Sequence, residues 1–162
     1  MTARALIPFD IMSGEQTLLL QKLLSKQVRF IVVGGYAVRY HGYLRATEDL
    51  DLVIEQTTEN ISRLREALAP DSPEGEWGQL LLPEKKLRWW DVEIFSAMRG
   101  LDYRDMDRSA EFFAFFDSSI RVISVSHLKA AKKLAIEATD RDEKKRSQDK
   151  DDLEYLEELR NA

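Results

Sequence analysis

Residues 31–54 read IVVGGYAVRYHGYLRATEDLDLVI, and this stretch decides the fold that the sequence predicts. A short apolar, mostly β-branched run over 30–33 stops at the glycine pair 34–35, which is typical of a strand that ends in a turn. Residues 36–41 favour a brief helix that ends at the next glycine. Residues 50–54 form a second apolar run. The stretch therefore predicts a strand, a glycine turn, a short helix and a second strand.

Asp49 and Asp51 stand at the start of the second strand. Residues two apart on a strand project from the same face, so both carboxylates can converge on one point while Leu50 and Leu52 turn into the core. Mg²⁺ is held by one or two carboxylates together with substrate phosphates. The chain has 29 acidic residues, so a pair of this spacing also arises by chance on a solvated surface. The apolar strand around this pair favours a metal site.

Gly34 and Gly35 allow two interpretations. Glycine lets backbone N–H groups approach an anion such as phosphate, and it equally supplies the positive φ that a tight strand-to-helix turn requires. The sequence contains no G-x-x-x-x-G-K-S/T motif, which excludes a P-loop. Both interpretations of the glycine pair remain open at this point.

Composition limits the kinds of protein that the chain can be. Its 162 residues fit one domain, and the absence of cysteine excludes disulfides, zinc–thiolate sites and thiol nucleophiles. The net charge of -5 argues against a dedicated nucleic-acid-backbone binder but leaves nucleic acid open as a substrate. The start, MTARALIPFDIM, lacks a signal-peptide pattern, and no apolar run is long enough to span a membrane. We therefore expect a cytoplasmic protein without membrane contact.

Hydrophobic periodicity predicts the remaining elements of an α+β chain. They are a helix over 14–27 capped by Ser13, a helix that ends before Pro70, one strand over 87–95, a hairpin of strands 111–116 and 120–123, and two C-terminal helices, the first capped by Ser126.

From Gly34 to Asp51 the residues follow the pattern G-G-x-A-x-x-x-H-G-x-x-R-x-T-x-D-h-D, where h is apolar. This pattern resembles the nucleotidyltransferase superfamily with the DNA polymerase beta-like fold, and within it the small bacterial branch of abortive-infection toxin-type nucleotidyltransferases. The resemblance implies a single domain over 1–162, in which helices pack on a small mixed sheet. A C-terminal helical pair over 124–162 completes that domain.

The resemblance also implies a role for individual residues. Asp49, Asp51 and Glu93 are the implied catalytic and metal-binding carboxylates, with Glu93 where the family usually has aspartate. Asp91 is the alternative third carboxylate, because a single strand over 87–95 would place it on the same face as Glu93. The residues implied in nucleotide binding are Gly34, Gly35, Arg45, Thr47 and Lys132.

Three further residues allow a functional and a structural interpretation. His41 is an active-site donor or a group that stabilises the end of a short helix. Asp149 and Asp152 close the rim of the site or lie at the solvated start of a helix. Gln148 replaces the lysine of the family's C-terminal pattern.

The implied reaction is transfer of a nucleoside monophosphate from a nucleoside triphosphate to an acceptor hydroxyl, with Mg²⁺ or Mn²⁺ as cofactor. The implied acceptor is tRNA, another RNA or a protein, and the implied partner is the cognate antitoxin of a toxin-antitoxin or phage-defence pair. Two alternatives remain: an enzyme that modifies a small molecule such as an antibiotic, and a catalytically inactive nucleotide- or partner-binding protein of the same fold.

Overall fold

The structure is a computed structural model that describes residues 8–82 and 85–159. Most of the N-terminal stretch on which the expectation of no signal peptide rests lies outside the described residues. The helices are α1 (Gly14–Ser25), α2 (Gly34–Tyr40), α3 (Thr58–Leu68), α4 (Glu74–Trp77), α5 (Tyr103–Ser109), α6 (Val125–Glu137) and α7 (Glu143–Leu159). The strands are β1 (Phe30–Val33), β2 (Leu50–Ile54), β3 (Lys86–Trp89), β4 (Val92–Phe95), β5 (Glu111–Phe115) and β6 (Ser118–Val122).

The six strands form one mixed sheet in the order β3-β4-β2-β1-β6-β5. The central strand β2 runs antiparallel to β1 and parallel to β4, while β1 and β6 are also parallel. Helices flank this sheet, with α1 packed against α3 and α6 packed against α7. The predicted α+β class with a small mixed sheet is confirmed.

The core is centred on β1 and β2. All four residues of β1 are buried, and Leu50, Leu52 and Ile54 of β2 are fully enclosed, while Asp51 between them stays partly accessible. A polar side chain flanked by buried apolar neighbours is therefore fixed in direction, because a slip of one residue would turn the leucines to solvent. In this register the Asp51 side chain lies against Gly34, the first glycine of the pair.

The predicted single strand over 87–95 is wrong. The chain reverses at Trp90 and Asp91, so that β3 and β4 form an antiparallel hairpin in which Trp89 pairs with Val92. Trp90 has a φ of 59°, in the left-handed region that such two-residue turns require. The alternation on which the prediction rested continues through both strands and therefore does not reveal the reversal.

The C-terminal helices α6 and α7 lie where two helices were predicted, but the predicted cap is wrong. Ser124, not Ser126, caps α6, because the Ser124 side chain accepts a hydrogen bond from the backbone N–H of His127. Ser13 caps α1 as predicted, in a reciprocal capping box with Gln16. No helix in the described part of the chain is long and apolar enough to cross a membrane.

Candidate carboxylate site

Asp51 and Glu93 lie side by side on neighbouring strands. They are register partners in the parallel pair of β2 and β4, and neither side chain is fully buried. Asp49 precedes β2 by one residue and projects toward the same face as Asp51. The structure thus brings the three predicted carboxylates to one end of β2.

Arg88 joins two of these carboxylates. Its guanidinium donates to the Asp49 Oδ1 at 3.0 Å and to the Glu93 Oε1 at 3.2 Å. Arg88 and Glu93 are direct cross-strand partners in the β3–β4 hairpin, which places both side chains on the same face. The hydrogen bond to Asp49 raises the pKa of Arg88 above its usual value, so this cation is permanently charged. No pattern in the sequence indicated a role for Arg88.

Asp51 is held in an environment that disfavours its charge. Burial raises the pKa of Asp51 most, and the negative charges of Glu93 and Asp49 raise it further, to about 7. Lys132 and Lys86 act in the opposite direction. A carboxyl group with this pKa is partly protonated near neutral pH, and an added cation at the site would stabilise its ionised form.

The glycine pair is required by close packing. Gly34 has a φ of 66°, and a Cβ at this position would overlap the Asp51 carboxylate. A Cβ on Gly35 would overlap the Thr47 hydroxyl and lie 3.3 Å from the Arg45 Nη1. Larger residues would therefore displace the side chains that surround Asp51. This packing accounts for both glycines, and a bound phosphate is not needed to explain them.

The hairpin that carries Glu93 is anchored to the rest of the site by Gln16. The buried Gln16 amide donates to the carbonyl of Glu48 at 2.7 Å and to the carbonyl of Asp91 at 3.0 Å, and its oxygen accepts from the Tyr36 hydroxyl at 3.0 Å. One side chain thus joins α1, α2, the start of β2 and the hairpin turn. Its capping-box position predicts a structural role but gives no sign of these distant contacts.

Asp91 lies outside both strands of the β3–β4 hairpin, contrary to the expectation of a single strand over 87–95. It lies in the hairpin turn, where its Oδ2 accepts a hydrogen bond from the Ser13 hydroxyl at 2.8 Å. Because the turn reverses the chain between β3 and β4, residue parity no longer assigns Asp91 and Glu93 to one face. Glu93, and not Asp91, is the residue in register with Asp51.

Lys132 lies in a buried charge network between α6 and α7. Its ammonium group contacts the Asp149 Oδ1 at 3.0 Å and the Asp152 Oδ2 at 2.9 Å. Both aspartates are buried, so the expectation that they lie at a rim or at a solvated helix start is wrong. The charge of Lys132 still acts on Asp51, since it lowers the pKa of that residue.

Arg45 belongs to the same network. Its Nε and Nη2 donate to the two oxygens of Asp152 at 2.7 and 2.9 Å, and its Nη1 donates to the carbonyl of Ala46 at 2.8 Å. This bidentate geometry is the strongest arrangement for an arginine and a carboxylate. Gln148, where the resembled family has lysine, donates to Asp152 at 3.0 Å. The arginine therefore fastens the loop before β2 to α7.

His41 has a structural position at the end of α2. Its Nε2 donates to the backbone carbonyl of Ile123 at 2.7 Å, and its side chain is only 5% exposed. The other ring nitrogen lies 3.5 Å from a Glu111 carboxylate oxygen. The imidazole thus connects α2 to the segment between β6 and α6, which favours the structural interpretation of this residue.

An open cleft of about 530 Å³ lies beside Asp49, lined by Glu15, Glu48, Asp49, Arg88, Trp90 and Asp91. In residues 8–82 and 85–159, no group of three or more His, Cys, Asp or Glu side chains is arranged so that it could hold a metal ion. The oxygen ligands of Asp49, Asp51 and Glu93 suit a hard divalent cation in their chemistry. In this arrangement, however, Arg88 supplies the positive charge that Asp49 and Glu93 contact.

No protein-family model matches the chain, and no curated protein is found to be similar to it. The functional interpretation therefore depends on the residue pattern and on the geometry of the site.

Proposed function

We propose that the protein is a Mg²⁺- or Mn²⁺-dependent nucleotidyltransferase with the polymerase beta-like fold. The observation that carries this proposal is the register of Asp51 opposite Glu93 on parallel strands, with Asp49 two residues before Asp51. Three carboxylates in one place are costly without a cation, as the raised pKa of Asp51 indicates. The G-G to D-h-D pattern supports the same assignment.

Asp49, Asp51 and Glu93 are the residues that would hold the divalent cations. Such cations neutralise the triphosphate and polarise the phosphorus under attack. Glu93 is partly accessible, and in this proposal it accepts the proton of the acceptor hydroxyl as the new phosphoester bond forms. Pyrophosphate is the leaving group. The charge of the buried Lys132 favours the ionised form of Asp51, Arg45 fastens the loop that precedes β2, and Thr47 lies against Gly35.

The transfer reaction is tested directly with labelled nucleotides. The purified protein is incubated with each of the four labelled nucleoside triphosphates, Mg²⁺ or Mn²⁺, and either total RNA, protein extract or an aminoglycoside. We expect one nucleotide to label one acceptor class, and we expect EDTA to abolish that labelling. RNA or protein is the proposed acceptor, as it is in the family that the pattern resembles. Failure of every nucleotide and acceptor to become labelled would contradict an active enzyme.

A second candidate, a catalytically inactive nucleotide- or partner-binding protein, is favoured by one observation. Arg88 contacts both Asp49 and Glu93, and the described carboxylates are not arranged around a metal position. Such a protein would bind its ligand without transferring a nucleotide. The labelling experiment separates it from the enzyme.

Thermal stability provides a test that does not depend on the acceptor. Divalent cations with a nucleoside triphosphate should raise the melting temperature more than the nucleotide alone, because the cations relieve repulsion among the three carboxylates. At ligand concentrations near one hundred times the dissociation constant, we expect a shift of about 5–10 °C, from roughly 2.7 kcal/mol of binding free energy. Differential scanning fluorimetry at constant ionic strength measures this shift. Equal shifts with and without the cation would count against the metal site.

A further inference from the structure

Arg88 is placed on the carboxylates by the hairpin itself. It is the direct cross-strand partner of Glu93, and its two contacts reach one oxygen of Glu93 and one of Asp49. Its side chain is 56% exposed, and the side chains of Asp49 and Glu93 are 41% and 28% exposed. The guanidinium can therefore leave these contacts without breaking the core.

The carboxylate oxygens that Arg88 contacts are among those that a divalent cation would need. The buried Lys132, whose charge lowers the pKa of Asp51, already forms ion pairs with Asp149 and Asp152. Exposed ion pairs of a long side chain are weak, because they are solvated and cost side-chain entropy. A compact divalent cation concentrates twice the charge on the same oxygens without that entropy cost. The cation and Arg88 therefore compete for these carboxylate oxygens, and the weaker arginine contacts yield.

We propose that Arg88 is the internal counter-cation of the carboxylate site, which yields Asp49 and Glu93 to divalent cations and then contacts the phosphates of the nucleotide. The inference rests on the proposed function, since it presumes that the cations and the triphosphate bind here. Once released, the guanidinium remains on β3 at the wall of the cleft, where its planar fork matches a phosphate group. Arg88 is accordingly a nucleotide-binding residue that exchanges one anionic partner for another.

This role is tested by substituting Arg88 and measuring the binding of Mn²⁺ and of the nucleotide, which should change in opposite directions. Mn²⁺ binding without nucleotide is measured by electron paramagnetic resonance or calorimetry for the wild type, Arg88→Gln and Arg88→Lys. We expect Arg88→Gln to bind Mn²⁺ about three- to tenfold more tightly, because the competing cation is gone. With saturating Mn²⁺, the same variant should bind a non-hydrolysable nucleoside triphosphate about tenfold more weakly. Arg88→Lys keeps the charge and should stay close to the wild type for Mn²⁺.

A matched control is Arg63→Gln, which removes an exposed arginine that pairs with Glu59 on α3. It should change neither equilibrium. Unchanged or weaker Mn²⁺ binding by Arg88→Gln would overturn the counter-cation role while leaving the proposed function intact, provided that the wild type binds Mn²⁺ and Asp51→Asn does not. If neither the wild type nor Arg88→Gln binds Mn²⁺, either alone or with the nucleotide, both the inference and the proposed function are wrong.

Discussion

Replacing Asp51 by Asn is expected to reduce nucleotide transfer by about 10³-fold or more while the chain still folds. The amide retains the shape of the carboxylate and much of its hydrogen bonding, but it removes the charge that would hold the cations. Asp51 is the carboxylate in register with Glu93, and its Oδ2 lies against Gly34. Circular dichroism verifies the fold, and the labelled-nucleotide assay measures the loss of transfer.

The same substitution should stabilise the metal-free protein. The usual pKa of an aspartate is near 3.8, whereas the pKa of Asp51 is raised to about 7 by burial and by its acidic neighbours. Between these two values the folded chain keeps a proton that the unfolded chain has lost, so the contribution of Asp51 to stability falls as the pH rises from about 4 to about 7. Each pKa unit corresponds to about 1.4 kcal/mol, and we expect Asn to recover on the order of 2 kcal/mol above pH 7.

Urea unfolding of both proteins from pH 4 to pH 8, without divalent cations, measures this recovery. The difference in the free energy of unfolding should be small near pH 4 and reach a plateau above pH 7. The control Asp117→Asn changes an exposed carboxylate in the turn between β5 and β6, and it should leave stability and transfer unchanged. Transfer at the wild-type rate by Asp51→Asn would remove Asp51 from the reaction.

Local sequence patterns predicted the part of the fold that depends on short-range periodicity. The apolar runs of β1 and β2, the glycine turn between β1 and α2, and the capped helix α1 all lie where they were predicted, because each is specified by residues within one element. Asp49 and Asp51 were predicted to share a face for the same reason. No comparable signal exists for contacts that join distant parts of the chain.

The β3–β4 hairpin shows what the pattern could not reveal. A two-residue turn usually carries glycine or asparagine, but here Trp90 takes the positive φ, so that the sequence shows no turn signal. If residues 87–95 formed a single strand, the side chains of Arg88 and Glu93 would project from opposite faces of the sheet. In the hairpin, with its turn at Trp90 and Asp91, the two residues are cross-strand partners and project from the same face. The contact between Arg88 and Glu93 could therefore not be predicted without recognising the turn at Trp90 and Asp91.

The charge network of α6 and α7 was missed for a different reason. Lysine, arginine and aspartate are mostly exposed, so a solvated helix start was one of two expectations for Asp149 and Asp152, and no pattern predicted the burial of Lys132. In the structure, pairing across the two helices makes their burial possible, because each buried charge has an opposite charge within hydrogen-bond distance. The pairing involves residues of α6, α7 and the loop before β2, which no local pattern connects.

Substitution of Asp152 by Ala should destabilise the protein by about 3–5 kcal/mol, the usual effect of removing one member of a buried ion pair. Asp152 is 0% exposed; Arg45 donates to both of its oxygens, Gln148 donates to Oδ1, and Lys132 contacts Oδ2. Burial alone would raise the pKa of Asp152, but the hydrogen bond from Arg45 and the charge of Lys132 outweigh it and lower that pKa. The aspartate is therefore ionised in the folded state, and its loss leaves two cations short of a partner.

Urea unfolding at pH 7 measures this loss, and Asp151→Ala is the matched control. Asp151 is the adjacent residue on α7 but is exposed, so its removal should change the free energy of unfolding by less than about 0.5 kcal/mol. The lowered pKa of Asp152 also sets the direction in which stability depends on pH. The stabilisation by Asp152 is present above the pKa that this aspartate has in the unfolded chain, and it is lost as the pH falls through the pKa of Asp152 in the folded chain. The difference between wild type and Asp152→Ala should accordingly shrink in acid. Equal stabilities of Asp152→Ala and Asp151→Ala at pH 7 would show that the network does not hold α7 on the sheet, and would leave Arg45 available to a nucleotide.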